Sequence, residues 1–145
     1  MVKFWDTSAI VPLCVNEPSS ATVKAILVKD PSIAVWWATR TECVSALTRQ
    51  VREGSLSVAG ERQARTVLNA LVRAWTEIQP SETLRGMAER LLAVHPLRAA
   101  NALQLAAALQ WCQGQTVEQC FVSFDNRLCE AGYKEGFTLL PTELH

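Results

Sequence analysis

Met1-Val2-Lys3-Phe4-Trp5-Asp6-Thr7-Ser8 opens the chain with a short apolar run that stops on an acid and two hydroxyl residues. The helix-compatible segment Ala9-Ile10-Val11-Pro12-Leu13 follows it. A near-continuous apolar run of this length suits a central strand of a parallel sheet. Asp6 then sits at the carboxyl end of that strand, where open α/β sheets bind ligands. An acid or serine there also caps the next helix. The local spacing admits both roles, so the decision rests on whether other acids reach the same edge.

The rest of the chain repeats the alternation. Ser19 or Ser20 opens a helix that runs to Lys29 and is stopped by Pro31, and Ser32-Ile33-Ala34-Val35-Trp36 reads as a second buried strand. Thr39 and Glu42 have capping-box spacing at the head of a helix that ends near Gly54. Ser57 opens an amphipathic helix with an apolar stripe from Ala64 to Trp75. Thr76-Glu77-Ile78-Gln79 is at most a short edge strand. A helix from Pro80-Ser81-Glu82 ends at His95-Pro96, because a residue before proline resists the helical region.

Leu97 to Leu109 is apolar almost all round, as expected of a helix buried within the domain, and Gly114 ends it. Asn101 and Gln104 lie one turn apart on one face of it, and buried polar side chains need partners, so that face should look into a polar cleft. Cys120 to Phe124 is a third good strand and runs into Asp125-Asn126. A short helix from Leu128 to Gly132 and a last strand at Phe137 to Leu140 close the chain. Strands alternating with helices specify an α/β fold with a mostly parallel sheet covered on both faces. Residues 1–145 read as a single domain, with no repeat or linker.

Composition narrows the function. The chain carries 14 basic and 14 acidic residues, so any nucleic-acid contact must come from a local patch rather than a global field. No apolar run reaches the roughly 20 residues of a membrane span, and no signal peptide is expected. Five scattered cysteines, with no Cys-x-x-Cys pair and with His95 and His145 away from any such pair, argue against zinc and disulfide scaffolds. Reduced, mostly buried thiols in a cytoplasmic protein are expected instead.

Two apolar strands end alike, in Phe4-Trp5-Asp6-Thr7-Ser8 and Val122-Ser123-Phe124-Asp125-Asn126. In a parallel sheet both acids lie at one edge, and neighbouring strands are about 4.8 Å apart. One cation could then take an oxygen from each. Glu42 adds a third acid at that edge.

These motifs, together with the Thr41-Glu42 pair and the segment Leu97-Arg98-Ala99-Ala100-Asn101-Ala102-Leu103-Gln104, resemble a PIN domain. More closely, the ordered set resembles the VapC-type ribonuclease toxins of type II toxin–antitoxin pairs, over essentially the whole chain. The resemblance implies a three-layer α/β/α fold around a five-stranded sheet, and an endoribonuclease that uses Mg²⁺ or Mn²⁺. It places Asp6, Glu42 and Asp125 as metal-binding acids. Thr7, Ser8, Ser123 and Asn126 support them. It further implies RNA as substrate, a small antitoxin partner whose tail crosses the site, and a homodimer, for which the stripe from Ala64 to Trp75 is wide enough.

Where the family usually carries a fourth acid, this chain has Asn101. An amide offers an oxygen but no charge, and charge count is a main determinant of affinity for a hard cation. Weaker metal binding and reduced activity are expected, and a PIN domain that only binds RNA or antitoxin is the alternative. A haloacid-dehalogenase-type phosphatase wants a second aspartate where Ser8 stands, and a dinucleotide-binding fold wants a glycine-rich turn that is absent. Arg40 and Arg98 flank the expected cleft as candidate RNA contacts. Arg49 and Arg52 read as either RNA contacts or solvated helix surface. Trp36-Trp37 offers rings for base stacking, for an antitoxin helix or for strand-end core packing.

Overall fold

The computed structural model describes residues 1–142; His145 lies outside them. The chain runs β1 (Lys3–Trp5), α1 (Thr7–Cys14), α2 (Ser20–Lys29), β2 (Ile33–Trp36), α3 (Thr39–Arg52) and α4 (Val58–Ala74). It continues through β3 (Thr76–Ile78), α5 (Glu82–Val94), α6 (Ala99–Trp111), β4 (Cys120–Val122), α7 (Asn126–Lys134) and β5 (Thr138–Leu140). All four strand pairings are parallel, and the order across the sheet is β3-β2-β1-β4-β5.

Alternation along each strand divides the core into two layers. Phe4, Ala34, Trp36 and Phe121 face one side and pack against α5, α6 and α7 through Leu84, Leu91, Leu105 and Leu128. Trp5, Ile33, Val35 and Val122 face the other and meet Ile10, Val23, Leu47 and Leu68 of α1 to α4. The result is the expected three-layer α/β/α sandwich.

The strand order locates the crevice. From the central β1 the chain moves outward to β2 and β3, then returns to β1's other side with β4 and β5. Connections leave the carboxyl ends of β1 and β4 in opposite directions, which opens a cleft at that switch point. Asp6 follows β1 directly and Asp125 follows β4 after two residues.

Several local expectations are corrected. The capping box does not form: Ala38 is the N-cap of α3 without a side-chain bond, and Thr39 is already helical and fully buried. Its hydroxyl instead accepts from Gln104. Neither Ser19 nor Ser20 caps α2 through its side chain, since the Ser20 hydroxyl donates to the Val15 carbonyl. The buried helix starts at Ala99 because Arg98 remains extended. That helix stops at Trp111, and Gly114, at φ 75°, bonds back to the Leu109 carbonyl. The helix expected from Leu128 to Gly132 spans the longer Asn126–Lys134, and β4 stops at Val122 rather than Phe124.

Phe121 is fully buried, with ring centroids 5.3 Å from Phe4 and 5.5 Å from Phe137. Phe121→Ala is expected to lower stability by about 3–5 kcal/mol, since the cavity opens in a central strand that cannot collapse. Urea unfolding followed by circular dichroism measures it, and a loss below about 1 kcal/mol would contradict this packing.

Candidate active site

The carboxyl edge of the sheet opens into a cleft of about 330 Å³ lined by Asp6, Thr7, Ser8, Glu42, Asn101 and Asp125, among others. Asp6 is only 3% exposed. Its Oδ1 accepts from the Ser8 hydroxyl at 2.7 Å and the Ala9 amide at 3.2 Å. Its Oδ2 accepts from the Ser123 hydroxyl at 2.9 Å. Each serine oxygen is itself an acceptor for a backbone amide: Ser8 from Phe124 at 2.9 Å, Ser123 from Asp125 at 3.0 Å. With an N–H on its lone pair, each hydroxyl turns its proton toward Asp6.

Asp125 is built in the same way. Its Oδ1 caps α7 through the Leu128 amide at 2.9 Å, and its Oδ2 accepts from the Asn101 side-chain amide at 3.2 Å. Both aspartates are therefore helix caps and members of the cleft at once. Capping uses one carboxylate oxygen in each.

The third acid is held by a helix from the opposite layer. Gln104, 2% exposed, donates through Nε2 toward Glu42 Oε1 at 2.9 Å, Thr39 Oγ1 at 3.0 Å and Thr7 Oγ1 at 3.3 Å. The Thr7 hydroxyl also donates to Glu42 Oε1. An amide nitrogen has two protons, so three acceptors compete for them. Gln104 Oε1 is buried with no partner among the described residues. The expectation that Asn101 and Gln104 look into a polar cleft holds, but Gln104's grip on Glu42 crosses 62 residues and had no local signal.

The remaining residues separate. Asn126 begins α7, exposed and outside the cleft lining. Arg40 and Arg98 are exposed at the heads of α3 and α6 and do not line the cleft. Arg49 does, on the α3 face that also carries Glu42 and Ala46, and it makes no ion pair among the described residues. Beyond it the cleft is bounded by Glu17, which accepts from the Gln50 amide at 3.1 Å. His95 pairs with Glu135 at 2.6 Å and ties the end of α5 to the end of α7, a structural role. No disulfide joins the five cysteines; two are buried and three half-buried, and burial pushes the Cys14 thiol up to about 12.

The electrostatics favour a cation. Burial pushes the Asp6 carboxyl up to about 7, outweighing the bonds from Ser8, Ser123 and Ala9 that pull it down, and the charge of Asp125 adds to the rise. The donor set is all oxygen, which suits a hard divalent ion. Among the described residues no three His, Cys, Asp or Glu side chains converge into a cage. Mg²⁺ commonly binds through one or two carboxylates and keeps several waters, and Asp6 with Asp125 fits that pattern.

At the level of sequence, no family model and no curated protein matches the chain. Solved structures do. PAE2754 from Pyrobaculum aerophilum superposes with a TM-score of 0.67 at 17% identity, covering 99% of this chain and 93% of that one. VapC20 from Mycobacterium tuberculosis, described as a sarcin–ricin loop cleaving toxin, superposes at 0.66 and 18% identity, covering 91% and 95%. This is a PIN-like, VapC-like fold. The five-stranded parallel sheet within three layers is the PIN architecture, and no helix among the described residues is long and apolar enough to cross a membrane.

In this PIN fold the raised Asp6 carboxyl has a stability consequence. The unfolded chain releases that proton near pH 4 and the folded chain near pH 7. Stability is thus full below the lower value and lost as pH rises through the upper one. With chelator present, unfolding free energy should fall on the order of 4 kcal/mol across that window. Asp6→Asn should flatten the slope. Denaturant melts at a series of pH values test this, and an unchanged slope in the variant would refute it.

Proposed function

We propose that the chain is a metal-dependent endoribonuclease of the VapC toxin kind, working beside an antitoxin that restrains it. The observation that carries this reading is the Asp6–Asp125 pair at the sheet's switch point, locked by Ser8 and Ser123, with Glu42 in the same cleft. The likeness to a toxin described as cleaving the sarcin–ricin loop supports RNA as the substrate class. The particular RNA is a separate matter.

Asp6 and Asp125 would hold Mg²⁺ or Mn²⁺, which supplies a water acidified for attack and a positive charge against the growing negative charge on the phosphodiester. Glu42, its Oε1 fixed by Thr7 and Gln104, turns a second oxygen free of protein hydrogen bonds to the cleft and can accept a proton from the attacking water. Arg49 is the cation on the cleft wall and can pair with a backbone phosphate, so the local positive charge needed for RNA comes from α3. Asn101 keeps its amide on Asp125, leaving one fewer negative charge for the ion.

A second reading rests on that same contact. The Asn101 amide occupies an oxygen of Asp125 that a metal would use, which favours a domain that binds RNA or antitoxin without cutting. The stripe expected to carry a homodimer is largely taken by the core, with Ala64, Leu68 and Trp75 buried and Leu71 and Val72 packed on them, so a dimer on α4 would have mainly Val67, 39% exposed, to offer.

Purified protein incubated with structured RNAs and Mg²⁺, Mn²⁺ or chelator tests the reading. Cleavage should require metal and vanish in Asp6→Ala; undiminished cleavage in that variant would place the activity elsewhere. Asn101→Asp should raise the metal-dependent rate about tenfold or more while lowering metal-free stability, because it restores charge beside Asp125. Equal or lower activity with folding intact would favour the binding module.

A further inference from the structure

The two tryptophans after β2 part company. Trp36 is 5% exposed and belongs to the core, as strand-end packing predicts, whereas Trp37 is 50% exposed. Trp37 borders a groove of about 520 Å³ formed with Pro80, Ser81, Leu84, Arg85 and Leu103. We propose that this groove is a base-binding subsite, in which an unpaired nucleobase of the RNA beside the scissile phosphate stacks on Trp37. The proposal rests on the ribonuclease reading and adds to it a place for the substrate's bases.

Three observations carry it. First, Trp37 is a pre-set platform. Its backbone amide donates to the Ile78 carbonyl at 3.0 Å, prolonging the β2–β3 ladder. Its ring meets Trp36 edge-on at 6.4 Å and 68°, so a packed core residue buttresses it. An aromatic face held in place before binding loses little freedom when a base lands on it.

Second, the groove is separate from the acidic cleft but borders the same two elements, α6 and the β2–α3 turn. The first turns of α6 divide the two, Leu103 lining the groove and its neighbour Gln104 lining the cleft. Across the β2–α3 turn, Trp37 and Thr39 are two residues apart, a span of at most about 7 Å. Thr39 shares the Gln104 amide with Glu42. A strand with its phosphate at the acids would pass along this turn with a nearby base in reach of Trp37.

Third, the groove's shape fits a single base better than a protein helix. A docked helix needs several apolar anchors spaced along a trough. Here Trp36 and Leu84 are buried, and the accessible apolar surface is the Trp37 ring with Pro80 and part of Leu103 beside it, too short a row for a helix. The rim carries Arg85, whose partner Glu82 at 3.1 Å is 83% exposed, and such a pair is weak enough to yield to a phosphate. Stacking of this kind reads single-stranded loops and tolerates any base.

The test uses the full chain in chelator, so that RNA binds without turnover. Short single-stranded RNAs carrying 5-bromouracil are titrated by fluorescence anisotropy, irradiated, and the adducts mapped by mass spectrometry. Trp37→Ala is expected to weaken binding about tenfold or more, Trp37→Phe to retain most of it, and the adduct to fall on Trp37. Thermal melts of both variants check folding, which a half-exposed ring should scarcely affect. RNA bound equally well by Trp37→Ala, with adducts elsewhere, would overturn the subsite while leaving the ribonuclease reading intact. A change in oligomeric state without a change in RNA affinity would overturn it in favour of an interface between copies. Wild-type protein that binds no RNA would overturn the subsite, while the ribonuclease reading stands or falls on the metal-dependent cleavage assay.

Discussion

Two serine hydroxyls hold the carboxyl edge together. Ser8 belongs to the first turn of α1 and Ser123 to the end of β4, yet each takes an amide from the turn after β4 and gives its proton to Asp6. A carboxylate this deeply buried loses most of its hydration, and its charge is tolerable only where donors replace water. Here there are three donors, and burial still wins, since the carboxyl is pushed up rather than down. The site is therefore electrostatically unfinished. Burial favours the neutral acid, and a positive charge brought beside it would favour the ionised form.

The second constraint acts from the opposite face of the sheet. Gln104 rises from a helix that is otherwise buried and apolar, and it reaches across to Thr7, Thr39 and Glu42. Two protons serve three oxygens, and the amide's own oxygen has no partner. A buried polar group left short in this way costs about 1–3 kcal/mol, which the surrounding core must absorb. One turn earlier Asn101 performs the simpler task of steadying Asp125.

Much of this was legible because it is local. Apolar runs that stop on Asp6 and near Asp125 declare strands ending at one edge, and the apolar circumference of α6 declares a buried helix whose Asn101 and Gln104 need an outlet. What local reading could not see were contacts between distant segments. Thr39 and Glu42 have the spacing of a capping box, but the amide of Gln104 takes both side chains for the cleft. Arg40 and Arg98 lie nearer the acids in sequence, yet helical geometry carries Arg49 to the cleft wall. The Trp36-Trp37 pair divides because β2 ends at Trp36, which stays in the core, while Trp37 lies in the turn beyond it with half its ring in solvent.

The order of the strands also sets a timetable. β1 lies at the centre of the sheet although it is made first, and its neighbour β4 is joined to it across more than a hundred residues. On a ribosome the amino-terminal half can assemble β1 with β2 and β3, but one flank of β1 stays bare, and Asp6 lacks both Ser123 and Asp125. Long-range parallel pairing of this sort is slow to form and exposes an edge while it waits. A nascent chain that ends before Ser123 can hold Glu42 through Thr7 and Gln104 but cannot complete the setting of Asp6. The paired acids at the sheet edge are thus completed late, when the segment carrying Ser123 and Asp125 has been made.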